Sequence, residues 1–364
     1  MREYSVVERC CFWLSLLDGM SVKKKHELLH AVGGYDELYY NFVEHSSTII
    51  EVVGNKHFGE LSYFRQDNVL EDRLKRLDDY DIDIVTIESE EYPDNLRSID
   101  DPPLMLYYKG KIELLKAENT LAVVGSRNPT RYGKDITRTL VGDVARAGVT
   151  IVSGLARGVD KIAHSATLDN DGSTIAVVAT GLETCYPAEN HELFERISIF
   201  GLVVSEYPVG STPYAYRFPE RNRIISGLAR GTLVTEAGMH SGSLITMNTA
   251  IEQGRNIYLV PGNINSQMSQ GTNDAIKQLQ GAMVTCAEDI LCDYDLDKVD
   301  NKDDEIALTD IERSLVDYIV REDRHIDEIT AFVGDMEVGQ LLPILSKLEL
   351  FGLIQRLPGN YYGK

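Results

Sequence analysis

Three stretches of the chain carry side chains whose types and spacing suit anion chemistry. Gly125-Ser126-Arg127 follows an apolar run, Leu121-Ala122-Val123-Val124, and Ser153-Gly154-Leu155-Ala156-Arg157-Gly158 follows a second, Val149-Thr150-Ile151-Val152. Each is a turn of small residues holding one arginine. Backbone N–H groups at such turns, and at the helix starts behind them, are free to meet an anion. A guanidinium adds a planar fork that matches phosphate oxygens. The third stretch, Tyr214-Ala215-Tyr216-Arg217-Phe218-Pro219-Glu220-Arg221-Asn222-Arg223, interleaves aromatics with arginines. That pairing offers a π face and a cation together, and base–aromatic stacking is worth about 1–3 kcal/mol per base whatever the sequence. Further on, Glu236-Ala237-Gly238 and Ser241-Gly242-Ser243-Leu244 follow the run Leu233-Val234. Small residues there admit a close backbone, and Ser243 is placed to cap the next helix. Val260-Pro261-Gly262 is another turn of the same kind.

The same residues argue against other chemistries. Gly133-Lys134 lies eight residues after Gly125 and is followed by Asp135 rather than Ser or Thr, so there is no Walker A loop. Thr180-Gly181-Leu182 lacks the further glycines of a dinucleotide fingerprint. Neither ATP nor NAD is supported, and no cofactor is expected. Asp160 and His164 stand four residues apart on a helical stretch, which reads as a polar pair before an acid–base pair. No Ser–His–Asp or Cys–His nucleophile set assembles. The five cysteines (Cys10, Cys11, Cys185, Cys286, Cys292) form no Cys-x-x-Cys pair and have no neighbouring histidines, which predicts a reducing cytoplasm and no metal site. The N-terminus shows no signal-peptide h-region, and no apolar run approaches a membrane span.

The elements that must position these turns read as a mostly parallel α/β sheet. Buried runs at residues 121–124, 149–152, 174–179, 202–204, 232–234 and 257–260, with a short last strand at Met283-Val284-Thr285, lack alternation and so are covered on both faces. The intervening segments are long enough for helices, which gives a Rossmann-like sheet whose turns reach one carboxyl edge. Alternation near Ile82–Ile87 and the run Leu104-Met105-Leu106-Tyr107 extend it. Four parts are expected: a helical bundle of the sterile-alpha-motif or helix-hairpin-helix kind over residues 1–80, the sheet domain over 81–292, an acidic linker over 293–306, and a winged helix over 307–364. Residues 70–80 suit a linker or an exposed helix. In the last part, helices are expected from Thr309 to about Val320, Ile326 to Val333 and Val338 to about Leu350, then a hairpin around Pro358-Gly359-Asn360. Its third helix offers Gln340, Lys347 and Glu349, which favours a protein over DNA as its partner. Formal net charge is −21, but residues 121–291 hold 14 basic and 16 acidic residues, so the acidity lies outside the glycine-rich core. A local basic groove is compatible with that distribution; loose whole-surface nucleic-acid binding is not.

Taken in order, Gly125-Ser126-Arg127, Ser153 through Asp160, Ser205-Glu206-Tyr207-Pro208, Phe218 through Gly227, Ser241 through Leu244 and Val260-Pro261-Gly262 resemble the DprA/Smf family of DNA-processing proteins, over about residues 85–291. The resemblance implies a cytoplasmic homodimer, not an enzyme, that binds and protects single-stranded DNA and loads the RecA recombinase in natural transformation. By position it implies that Arg127 grips phosphate, with Ser126, Ser153, Gly154 and Gly158 lining the pocket. Arg221, Asn222 and Arg223 would extend it and Phe218 would stack on a base. Gly125, Arg157 and Ser243 complete the expected DNA-binding set. Two departures from relatives, Ala215 and Ala188-Glu189 in places where lysines occur, imply a less basic groove and more salt-sensitive binding. The sheet also resembles the lysine-decarboxylase-like nucleoside monophosphate phosphoribohydrolases, with Glu236 near a comparable turn, and an enzyme of that class is the alternative. An adaptor acting only on proteins through the winged helix is a further one. These residues are expected to form a strip of arginines and bare main-chain amides that cradles the strand, an arrangement that fails if Arg127 and Arg223 do not share one opening.

Overall fold

In the computed structural model the described residues are 2–294, 296, 309–334, 336, 338–350 and 353–363, and nearly all of the expected linker at 293–306 lies outside them. The chain divides into two compact units, residues 1–298 and 299–364.

The first unit is built on a nine-stranded sheet. Its strands are β1 (Asp83–Thr86), β2 (Met105–Gly110), β3 (Thr120–Val124), β4 (Thr150–Ser153), β5 (Thr174–Val178), β6 (Leu202–Ser205), β7 (Gly231–Val234), β8 (Asn256–Leu259) and β9 (Ala282–Met283). They lie in the order β1-β2-β6-β5-β4-β3-β7-β8-β9. From β6 to β9 every pairing is parallel, while β2 joins β6, and β1 joins β2, antiparallel. The expected sheet is therefore present, with the last strand one residue earlier than the apolar pattern placed it and pairing Ala282 with Tyr258.

Strand alternation feeds two apolar layers. On β3, Leu121 and Val123 pack with Leu140, Val144 and Ala163 of the helices Arg131–Arg146 and Val159–Leu168. Ala122 and Val124 face the other way, toward Ile224, Ile225 and Met247 of the helices Arg217–Gly227 and Gly242–Glu252. Successive strand side chains point to opposite faces, so a strand covered on both sides must be apolar throughout. The chain steps from β3 through β4, β5 and β6 in one direction, then crosses back to place β7 on the other side of β3. That reversal makes the carboxyl ends of β3 and β7 the switch point, where a doubly wound sheet leaves a crevice.

Five helices precede the sheet: Val6–Ser15, Val22–Val32, Tyr35–Tyr40, Ser46–Phe64 (broken at Gly54, φ 78°) and Asp67–Asp79. Ser5 and Glu8 form a capping box at the first. Trp13 is fully buried and its indole N–H donates to Leu61 O at 3.0 Å. Asp67–Asp79 corrects the expectation of a linker or exposed helix. Leu70, Leu74 and Leu77 recur at helical spacing and are buried, and the charges occupy the opposite face. This apolar cluster continues into Met105, Tyr107, Val178 and Val203, so the N-terminal helices and the sheet share one core. No helix among the described residues is long and apolar enough to cross a membrane.

The second unit holds helices Asp310–Arg321, Ile326–Val333 and Val338–Leu350, and a three-stranded antiparallel sheet of β10 (Arg324–His325), β11 (Gln355–Leu357) and β12 (Tyr361–Gly363) in the order β10-β12-β11. Leu315, Ile319, Ile329, Leu341, Leu345 and Tyr362 form its core. Thr309 and Glu312 make a capping box, and Lys347 on the third helix is bound to Glu312 Oε1 at 2.7 Å. One of the polar groups that helix was expected to offer a partner is thus engaged within the unit.

Candidate functional site

The turns after β3 and β4 are sewn together at the crevice. Val159 N–H donates to Ser126 O at 3.1 Å, and Gly158 has φ 75°. A Cβ at Gly158 would collide with the backbone of Ser126 and Arg127, so glycine is required for the two turns to touch. On the other side, Ser126 N–H donates to Glu236 O at 2.7 Å, tying β3's exit to β7's. The Glu236 carboxylate accepts from Thr130 N–H and from Thr130 Oγ1, both at 2.7 Å, and is 1 % exposed. Thr130 in turn caps the Arg131–Arg146 helix through Gly133 N–H. Glu236 is thus a brace between two strand ends.

A cleft of about 980 Å³ opens above this floor. Gly125, Ser126, Arg127, Phe218, Arg221, Asn222 and Ser243 all line it. Arg127 is exposed, and among the described residues no carboxylate lies within ion-pairing distance of it. Its guanidinium stands 5.4 Å from the Phe218 ring centre, and Phe218 in turn lies 5.7 Å from the Tyr186 ring. A smaller recess beside the cleft is lined by Arg127, Gly154, Arg157, Tyr186, Phe218 and Arg221. The exposed Arg127 and Arg157 and two aromatic rings therefore meet at one lip, with the buried Arg221 beneath. A cation over an aromatic ring suits a ligand that alternates charge with flat rings.

The remaining expected residues fare differently. Ser153 lines neither space; it is fully buried and donates through Oγ to Val123 O at 2.7 Å. Arg221 borders the cleft, but it is buried and its Nη1 donates to Gly154 O at 2.6 Å and to Val177 O. Burial lowers its pKa to about 10, while the nearby Asp160 works against that. Burial raises the Asp160 carboxyl, with the Arg221 charge opposing. Arg221 and Asp160 form a compensated floor under the cleft. Ser243 is corrected as a cap: Ser241 caps the Gly242–Glu252 helix, accepting from Ser243 N–H, and the two hydroxyls are 2.7 Å apart. His164 makes no contact with Asp160. It bonds Thr174 Oγ1 at 2.7 Å, and since Thr174 Oγ1 donates to Ile151 O, the imidazole Nδ1–H is the donor. Burial lowers its pKa to about 3, so it is neutral.

Arg223 is the main correction. It does not face the Arg127 opening. It is buried, pairs with Glu206 Oε2 at 2.6 Å and Asp101 Oδ2 at 3.2 Å, and lines a second cleft of about 520 Å³ against the N-terminal helices. Arg217 lines the same space, held by Asp18 at 2.9 Å and by Thr212 O at 2.9 Å. It lies under the rings of Tyr207, Tyr214 and Tyr216 at 4.7, 5.1 and 5.8 Å. Residues 213–216 form the ridge between the clefts: Pro213 and Ala215 line the first, Tyr214 and Tyr216 the second. Lys25, part of the lysine run on the second helix, also lines the second cleft. The expected strip of arginines therefore fails, because Arg223 is claimed by carboxylates in another cleft; Arg127 and Arg157 are the exposed arginines that remain at the first opening.

Sequence reasoning missed Tyr186, Met239 and His240, which also line the large cleft. Their signal was available for Tyr186, which lies in the loop after β5, on the same carboxyl edge as the turns that were chosen.

A doubly wound sheet with an exposed arginine and aromatic rings at its switch point defines an α/β protein with an open cleft at that edge. Residues 83–295 match the family model described as DNA recombination-mediator protein A, and residues 300–360 match the DprA winged helix domain. The chain belongs to the DprA/Smf family. It is 45% identical over 206 residues to DNA processing protein DprA of Streptococcus pneumoniae, covering 56% of this chain and 71% of that one. It is 38% identical over 293 residues to protein Smf of Escherichia coli, covering 76% of each. Among solved structures it is similar to DprA of Streptococcus pneumoniae, with a TM-score of 0.68 and 34% identity over 81% of this chain and 99% of that one. It is also similar to DNA processing protein A of Helicobacter pylori, described by its single-stranded DNA binding mode, with a TM-score of 0.53 and 31% identity over 58% of this chain and 95% of that one.

Proposed function

We propose that this chain binds single-stranded DNA in the Arg127 cleft and acts without catalysis, as a cytoplasmic homodimer that shields the strand and passes it to the RecA recombinase. The observation that carries the reading is the exposed Arg127 guanidinium, without a carboxylate partner among the described residues, over Phe218 at the switch point of the sheet. A phosphate would take the cation and a base would take the ring. The Helicobacter pylori relative, whose description names a single-stranded DNA binding mode, supports the same ligand. The buried Glu236, with both oxygens engaged by Thr130, supports a binding protein over a phosphoribohydrolase, since that carboxylate is not free to act on a sugar. Self-association is supported by the sheet's free edge at β9, beside the exposed Leu279 and Met283. Fluorescence anisotropy with single- and double-stranded oligonucleotides across a salt series tests the proposal. Tighter binding of the single strand, weakening steeply with salt, is expected. A well-folded protein that ignores single strands at low salt would refute it.

A further inference from the structure

Arg157 is the second arginine at the lip, and unlike Arg127 it is engaged. Its Nε donates to Glu189 Oε1 at 3.0 Å and its Nη2 meets Glu189 Oε2 at 3.0 Å, a parallel two-bond fork. That is the arrangement in which a guanidinium holds two phosphate oxygens. The carboxylate is therefore an internal mimic of the ligand's charged group. Its placement is built rather than incidental. The next residue, Asn190, is 1 % exposed and donates through Nδ2 to Leu155 O at 2.9 Å and Ala156 O at 3.3 Å. Glu189 is thereby fixed to the same β4 exit turn that carries Arg157. Both partners of the fork remain exposed, so an incoming anion can reach the arginine and the carboxylate can swing into water. Arg157 hydrogen bonding lowers the Glu189 pKa, which keeps the competitor ionised at neutral pH.

We infer that Glu189 is an affinity-setting residue that occupies a second phosphate subsite at Arg157, and that a strand phosphate must displace it to bind there. The inference rests on the single-stranded DNA reading above. An unengaged protein would then hold the strand through Arg127 alone, and would gain the Arg157 contact only where the strand outcompetes the tethered carboxylate.

A double-mutant cycle on the full chain tests it, with anisotropy of a labelled oligothymidylate over a salt series as the readout. Glu189→Gln should tighten binding about two- to fivefold. It should also steepen the slope of log K against log salt by about 0.7, the increment for one further single-strand phosphate contact. In the Arg157→Ala background the same substitution should lose most of the gain and leave the slope where that background has it. Equal tightening in both backgrounds would mean that Glu189 acts only as a nearby surface charge, and would overturn the inference. So would tightening with no change of slope. Circular dichroism of each variant guards against misfolding, which surface substitutions at these exposed positions should not cause. Failure of the unaltered protein to bind any oligothymidylate would instead refute the functional reading itself, which separates the two outcomes.

Discussion

The cleft at Arg127 and the cleft at Arg217 and Arg223 are separated by a four-residue ridge, yet their arginines are in opposite conditions. Arg127 is exposed without a carboxylate partner among the described residues and borders a ring. Arg223 is buried between Glu206 and Asp101, and Arg217 is closed off by Asp18. The same residue type therefore keeps its charge open to solvent on one side and ties chain segments together on the other. What decides is the supply of carboxylates from elsewhere in the chain: Asp18 from the N-terminal helices, Asp101 from the segment before β2, Glu206 from the end of β6. An arginine's neighbours in sequence say little about whether its charge is still available.

The sharpest way to break that contrast is Arg223→Ala. It strands Glu206 and Asp101 without their counter-charge and should cost about 3 kcal/mol of stability, read as a lowered urea midpoint. A midpoint close to that of the unaltered protein would mean that the second cleft is not fastened as described. Arg127→Ala should do the reverse. Single-strand affinity should fall by roughly a factor of ten, as expected for losing one charge-assisted contact, with the salt slope shallower by about 0.7 and the urea midpoint held. The buried floor beneath the open cleft supplies a pH test. His164 titrates near 3 when folded, against an ordinary value of 6.5, so the unfolded chain takes up its proton first. Stability is full above about 6.5 and is lost as pH falls toward 3, by up to about 1.4 kcal/mol per pH unit. His164→Asn should show a shallower decline over that window in pH-dependent urea melts. Phe218→Leu, which keeps apolar volume but removes the ring, should weaken single-strand binding by about 1 kcal/mol. Asp18→Asn is the smallest effect, below about 1 kcal/mol of stability, because its carboxylate is well exposed.

The parts legible in the sequence were those set by local pattern. Runs such as Leu121–Val124 and Ile175–Val178 are apolar at every position because both faces of the sheet are covered, and with the helix-length segments between the runs they gave the Rossmann-like reading. The three helices of the C-terminal unit and the hairpin around Pro358-Gly359-Asn360 were legible as local segments, while the Thr309–Glu312 capping box that starts the first helix is supplied by the structure. Asp67–Asp79 was misread because charge on one face drew attention from three leucines on the other. In the site, the β3 and β4 turns and Phe218 were legible because small residues, arginine and ring are each informative where they stand. Arg221 and Arg223 were not, since nothing within the helix Arg217–Gly227 reveals that carbonyls of Gly154 and Val177, or carboxylates from distant segments, already claim them.

The ridge of residues 213–216 sends alternate side chains to opposite sides, Pro213 and Ala215 one way, Tyr214 and Tyr216 the other. The chain turns there, with Arg217 N–H donating to Tyr214 O at 3.1 Å, and the turn stacks the Tyr214 and Tyr216 rings with centres 5.7 Å apart. A residue inserted within that turn would separate the two rings and uncover the arginine they shelter.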